Sequence, residues 1–407
     1  VTATRAGGGL SSPAESALDA METRILDVRT EPDRVRRIWR ALESNLTCQY
    51  FLSQGWVETW LDSLPDDVDL KLVAGFSGET PVWGCFAGVT RSVRNGIIPV
   101  RSIYLNATGK RVVDRLAIEY NRIVASRPIG EHVWCLFDEL DRRFGWDEIV
   151  LPGADAAAEP VSLLQSCPDR WKPVVILDEP SPYVDLARVR ESEGGYLALL
   201  SRNTRSQMRR CYRAYETVGP VELSAAADTQ QALDLFAELV DLHQASWARR
   251  GRPGGFDAEY LRSFHRDLIR RRFDSGEIQL LRVTAGGTVV GCLYNFVWNG
   301  HVLFYQGGLS QAIDKHMKPG WLCHAEAITC NARAGHDVYD FLAGDAQYKN
   351  SLATDRNRIV WMRLEKRKLR FLLEGAGRAA KRYLRSRLAT SYPGRGTHRI
   401  AGSGDRS

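Results

Sequence analysis

The sequence predicts a duplicated α/β (α+β) fold: two tandem units, each a mixed, mainly antiparallel sheet flanked by helices. The first observation behind this is a repeated meander. Around 70–104 the chain runs strand, Ser77-Gly78 turn, strand "VWGCFAGVTR", Asn95-Gly96 turn, strand "IIPVRSIYL". Around 277–308 it runs strand "EIQLLRVT", Gly286-Gly287 turn, strand "VVGCLYNFVW", Asn299-Gly300 turn, strand "HVLFYQGGL". Asn-Gly pairs suit tight hairpins, whose central residues need positive φ. The second observation is an echo downstream: "GWDEIVLPGADA" at 145 and "GHDVYDFLAGDA" at 335 share the order Gly, ring, Asp, apolar strand, Gly, Asp. The third is composition. With 407 residues, 44% apolar, 11 Trp and 14 Tyr, the chain can bury two ordinary cores.

The connecting elements follow in order. Helical stretches near 111–127 and 131–144 lead from the first meander to its strand, and a helix opening at Pro319 leads from the second. The expected organisation is a disordered segment 1–21, a degenerate first copy over 22–200, a catalytic second copy over 201–375, and a basic helical or disordered tail over 376–407. The copies differ where chemistry would sit: Asp340 answers to Val150, and "GDAQYKNS" answers to "ADAAAEP". Only the second copy keeps an acid, a phenol and an amine at the strand end.

Charge is concentrated. Residues 363–387 hold ten Lys/Arg against two Glu, a net +8, so the rest of the chain sums to 6 − 8 = −2. Leu372, Ala376, Ala379 and Tyr383 fall at helical spacing, which suits an amphipathic helix with a basic face, solvated or resting on an anionic membrane or RNA. A second basic stretch, "SRNTRSQMRRCYR" at 201, places Arg202, Arg205, Arg209 and Arg213 along one helical face. The eight cysteines form no CxxC pair and mostly lie in apolar runs, as expected of reduced core thiols in a cytoplasmic protein. No run approaches the length of a membrane span, and the first twenty residues lack the apolar region of a signal peptide. P-loop, Rossmann, HExxH and GxSxG motifs are missing, so nucleotide hydrolysis, dehydrogenation, zinc proteolysis and serine hydrolysis have no motif behind them.

Three stretches together, "FYQGGLS" at 304, "LHQASWARRGRPGGF" at 242 and "YDFLAGDAQYKN" at 339, resemble the cellulose-biosynthesis-associated (CelD/BcsL type) acetyltransferases of the GNAT superfamily, relatives of the tandem-domain Fem peptidyltransferases. The likeness in layout spans roughly 22–375. It implies tandem GNAT-like domains and transfer of an acyl, chiefly acetyl, group from acyl-CoA to a small-molecule or glycan amine without a metal. It further implies that the acyl-CoA lies along the strand 302–308, with Gln306 and Gly307, and that its pyrophosphate meets the helix N-terminus at Lys318 and Gly320. The family's usual pyrophosphate loop is replaced here by "DKHMKPGW", which leaves aminoacyl-tRNA, the donor of Fem-type relatives, as the alternative. A non-catalytic partner in an envelope polysaccharide pathway is a third reading.

Acyl transfer to an amine needs a base for the amine, a stabilised oxyanion and a proton for the leaving group. Tyr348 is the candidate acid and Lys349 the candidate oxyanion or phosphate ligand, with Asp345 to orient it. His243 or Asp340 is the candidate acceptor of the amine proton, Asp340 also a substrate ligand, and Arg249 and Arg250 are placed to receive an anionic acceptor. Spacing alone equally allows Asp345 to cap a short helix and pair with Lys349.

Overall fold

Turn chemistry sets both meanders. In the computed structural model, which describes residues 22–46, 49–94, 96–130 and 132–368, Gly286 and Gly287 have φ of +54° and +80°, and Asn299 and Gly300 +45° and +80°. These are the conformations that two-residue hairpins require. The segment 1–21 and the basic tail 376–407 lie outside the described residues.

The strands are β1 (Glu22–Asp27), β2 (Leu70–Ser77), β3 (Thr80–Arg94), β4 (Ile98–Leu105), β5 (Val124–Ala125), β6 (Glu148–Asp155), β7 (Trp171–Asp185), β8 (Val221–Ala225), β9 (Ile278–Ala285), β10 (Thr288–Trp298), β11 (His301–Leu309), β12 (Val338–Asp340) and β13 (Asp355–Lys366). The helices are α1 (Pro32–Glu43), α2 (Gln54–Ser63), α3 (Arg111–Asp114), α4 (His132–Phe144), α5 (Leu186–Glu191), α6 (Gly195–Leu199), α7 (Arg202–Glu216), α8 (Thr229–Ala248), α9 (Glu259–Arg272), α10 (Pro319–Arg333) and α11 (Gln347–Leu352). The meanders β2-β3-β4 and β9-β10-β11 are antiparallel, and each ends in one parallel pair, β4 with β6 and β11 with β12. The third residue pair of these parallel ladders is Tyr104 with Val150 in one copy and Leu303 with Asp340 in the other, so the duplication is one of register as well as of sequence.

The two copies exchange their last strands. β7 follows β6 in the chain yet pairs with β12 of the second copy, while β13 follows β12 and pairs with β6 of the first. β7 and β13 then pair with each other from Trp171–Lys366 to Tyr183–Asp355. The result is one continuous sheet in the order β1-β2-β3-β4-β6-β13-β7-β12-β11-β10-β9-β8, with β5 alongside β3.

Period-two alternation distributes side chains to its faces. Cys292, Tyr294 and Phe296 of β10 enter one core with α8 and α9, whereas Leu293 enters another with α7 and α10, joined by Val290 at a register shift in the strand. The first of these cores is common to both copies: Tyr50 stacks on Phe296 with centroids 4.5 Å apart, and Trp56 meets Phe264 edge-on at 4.9 Å. A third core under β3, β4 and β6 is closed by α4. Gly308 lets β11 close on α8, where a Cβ would stand 2.3 Å from the Leu239 carbonyl oxygen.

One element departs from expectation. Residues 111–127 form the short helix α3, an irregular segment in which Ala117 and Tyr120 take φ of +51° and +54°, and the two-residue strand β5. Tertiary contacts override helix propensity there. Asn121 forms a parallel bridge with Ala154, its side-chain amide donates to the Leu105 and Pro152 carbonyls at 2.9 Å each, and its Oδ1 accepts from Asn106 at 2.8 Å. The segment thereby fills the gap where β4 and β6 part.

The exchange predicts that the copies unfold together. Ile359, fully buried on β13 between Asp155 and Glu179, should cost about 2–5 kcal/mol on replacement by Ala. Calorimetry of Ile359→Ala should give a single transition at lower temperature; two transitions, with only one displaced, would sink the idea.

Candidate active site

In the second copy the corresponding gap is open. β11 and β12 pair only from His301–Val338 to Leu303–Asp340 and then separate. Tyr305 is an extra residue in β11, since Tyr294 faces Gln306 while Asn295 faces Phe304. Such bulges re-aim strand ends. Between the separating ends lies a cavity of about 270 Å³ lined by Glu119, Phe304, Tyr305, Gln306, Tyr348 and Lys349 among others. A second cavity of about 600 Å³ lies at the first turn of α10, lined by Lys318, Gly320, Arg249, Arg250 and, again, Tyr348. Tyr348 therefore stands on both.

Lys349 is largely buried at the wall of the smaller cavity. Its ammonium donates to the Leu342 and Ala343 carbonyls at 3.0 and 2.7 Å. Burial pushes it below the ordinary lysine range, against the opposing pull of Glu119, Asp340 and Glu179. The pairing of Lys349 with Asp345 that the spacing allowed is not made. Asp345 is exposed and accepts from Asn350 at 2.7 Å, and the residue at the cap of α11 is Ala346.

Glu119 comes from the irregular segment of the first copy. It accepts the Ala343 N–H at 2.6 Å, and burial raises its carboxyl to about 7. Asp340, 2% exposed, lies behind it. Its carboxyl accepts from Tyr120, from Ser181 at 3.0 Å and from the Leu342 N–H at 2.7 Å, and burial raises it to about 6. Leu342, at φ +59°, is a third non-glycine residue near the cavity in the left-handed region, after Ala117 and Tyr120. Strain of this kind tends to collect at functional sites.

Tyr348 is held by packing. Its ring stacks on His324 with centroids 5.6 Å apart, and burial pushes its hydroxyl up to about 12. His324 lies across Nδ1 from the Tyr339 hydroxyl at 3.0 Å, and burial pushes it down to about 3, so it is neutral.

His243 has both ring nitrogens occupied. Nε2 accepts the Gly255 N–H at 3.0 Å, which leaves the proton on Nδ1, 3.1 Å from the Gly307 carbonyl. Its geometry ties α8 and the loop after it to β11. Gly307 takes part through that carbonyl. Lys318 donates to Gln207 at 2.5 Å and lies over the Trp321 ring at 4.0 Å, and Arg250 lies over Trp247 at 5.4 Å. The structure thus gathers Tyr348, Lys349 and Gln306 at one cavity and Tyr348, Lys318, Gly320, Arg249 and Arg250 at the other, and leaves Asp345 and His243 outside both. Sequence reasoning missed Glu119 because a lone Glu in a helix-like stretch carries no local signal. Of the arginines that the sequence places along one face of α7, Arg205 is taken up by the Ala198 and Leu200 carbonyls at 3.1 and 3.0 Å.

The larger cavity suits a polyanion. Pro319 at the start of α10 has no N–H, and the next N–H groups precede the first helical bond, Leu322 to Lys318. No helix among the described residues is long and apolar enough to cross a membrane.

Residues 202–350 match the family model of the acetyltransferase (GNAT) domain. Among solved structures the chain is similar to FemX, at 11% identity over 80% of this chain and 95% of that one, with a TM-score of 0.53. It is also similar to L-PGS from Bacillus licheniformis (10% identity, 83% and 93% covered, TM-score 0.49) and to a tandem GNAT protein from the clavulanic acid biosynthesis pathway (12%, 84% and 98%, TM-score 0.42). No curated protein matches the chain. The matched residues all fall in the second copy, which holds the open cleft.

Proposed function

We propose that the protein is an N-acyltransferase that moves an acyl group, chiefly acetyl, from acyl-CoA to a primary amine, in the manner of the cellulose-biosynthesis-associated GNAT group. The observation that carries this reading is the pair of cavities meeting at Tyr348, one at a helix N-terminus and one holding a buried carboxyl and a buried amine. Lys318, Arg249, Arg250 and the first turn of α10 would hold the donor phosphates. A bound acyl-CoA supplies the acyl carbonyl and a thiolate leaving group.

The chain's own groups do the rest. Glu119, ionised above about pH 7, takes the amine proton as the carbon–nitrogen bond forms. Tyr348 gives a proton to the leaving sulfur as the carbon–sulfur bond breaks. Return of the proton from Glu119 to Tyr348 through solvent restores both. Lys349 supplies positive charge beside the developing oxyanion. Transfer from aminoacyl-tRNA would use the same three groups; binding of labelled acetyl-CoA and insensitivity of turnover to ribonuclease separate the two donors.

Three measurements test this reading. Gly320→Asp sets a carboxylate at the mouth of α10 and should abolish the acetyl-CoA-induced rise in melting temperature while the free protein melts normally; an undiminished rise would move the donor elsewhere. Lys349→Met and Tyr348→Phe should both fold, bind donor and lose turnover, on the order of a hundredfold for Lys349. Parental rates in both would leave these residues structural.

Glu119→Gln should separate stability from activity. Because burial raises the folded-state value from 4.5 to about 7, the folded state holds its proton longer than the unfolded chain does. The wild type therefore loses stability as pH rises between those values, by up to about 3 kcal/mol in full. Denaturant titration should show the Gln variant gaining on the wild type from pH 5 to pH 8, while the turnover limb that rises near pH 7 disappears. A stability difference independent of pH would refute the buried-carboxyl assignment.

A further inference from the structure

The smaller cavity also constrains its ligand. At about 270 Å³ it is below the usual range of small-molecule pockets, roughly 300–1,000 Å³, and admits a molecule of amino-acid size or the end of a chain. Its charged lining is one carboxylate, Glu119, and two cations, Arg115 and Lys349. Glu119 gives Oε2 to the Ala343 N–H, and among the described residues Oε1 has no hydrogen-bond partner. Arg115 gives one terminal nitrogen to Asp257, and Lys349 gives two hydrogens to main-chain carbonyls. A guanidinium has five N–H donors and an ammonium three, so both retain donors.

A simple amine would satisfy Glu119 and leave the spare donors of Arg115 and Lys349 unanswered. A polyamine would add to the repulsion. An amine that also bears a carboxylate answers both needs, and a planar carboxylate matches the arginine fork. Phe256, Phe304 and Phe341 offer walls for an apolar body.

We infer that the acceptor is a small aminocarboxylate with an apolar body, its amine at Glu119 and its carboxylate at Arg115. The inference rests on the acyl-transfer reading only in calling this ligand the acceptor; its binding is testable without a donor.

Calorimetric titration of the full chain with L-phenylalanine, phenethylamine, phenylalanylglycine and spermidine is the test. L-Phenylalanine should bind about tenfold or more tighter than phenethylamine, since the two differ by one charge-assisted contact set. Arg115→Ala should bring the ratio close to one at an unchanged melting temperature, because that arginine's one ion pair is partly exposed. If phenylalanylglycine binds tighter than the amino acid, with the same dependence on Arg115, the aminocarboxylate is the end of a peptide. Equal or tighter binding of phenethylamine, preference for spermidine, or no binding by any of the four overturns the inference. Bound L-phenylalanine without thiol release from acetyl-CoA would instead overturn the transfer reading and leave the aminocarboxylate site standing.

Discussion

The pairing of β7 with β13 is the constraint on which the rest depends. Each strand belongs by sequence to one copy and by hydrogen bonding to the other, so neither sheet is complete without its neighbour's last strand. The exchange fixes β6, β13, β7 and β12 side by side and brings the irregular segment of the first copy against the cleft of the second. Ser181 of β7 and Asn357 of β13 close the arrangement from both exchanged strands. Ser181 donates to Asp340 at 3.0 Å, and Asn357 donates to the Tyr120 hydroxyl, also at 3.0 Å.

Electrostatics in the cleft follows from that enclosure. Two carboxyls and one ammonium sit close together where water is scarce, and each is displaced toward its neutral form: Glu119 and Asp340 upward, Lys349 downward. Desolvation is the largest cause for all three and outweighs their mutual attraction. Such a trio weakens the fold at neutral pH. It also gives two carboxyls, Glu119 and Asp340, that exchange protons near neutral pH, which surface carboxyls do not.

How much of this was legible in the sequence depended on whether the signal was local. The four Gly-containing turns, the strands they join and the helix at Pro319 rest on φ preferences and periodicity, and they stand where the sequence put them. Tyr348 and Lys349 line the cavity at the strand end that the repeat makes conspicuous in the second copy. The segment 111–127 was misjudged as helix because its apolar spacing is helical, while the forces that shape it are contacts of Asn121 with residues distant in sequence. Asp345 and Lys349 are spaced for an ion pair, yet the carbonyls of Leu342 and Ala343 capture the ammonium first. Glu119 could not be assigned to the cleft without knowing that the strands exchange.

The same geometry explains why a duplicated chain has one open cleft. Parting strands after a parallel pair leave backbone groups without a ladder partner, and these must be satisfied by something. In the first copy Asn121 satisfies the Leu105 and Pro152 carbonyls and forms a bridge with Ala154, so chain occupies the space a ligand would take. To hold Asn121 there, the preceding residues must turn back through two left-handed conformations at Ala117 and Tyr120, and that turn carries Glu119 and Tyr120 into the neighbouring cleft. Filling one cleft and furnishing the other are therefore a single event. Restoring the first site would withdraw the carboxyl from the second.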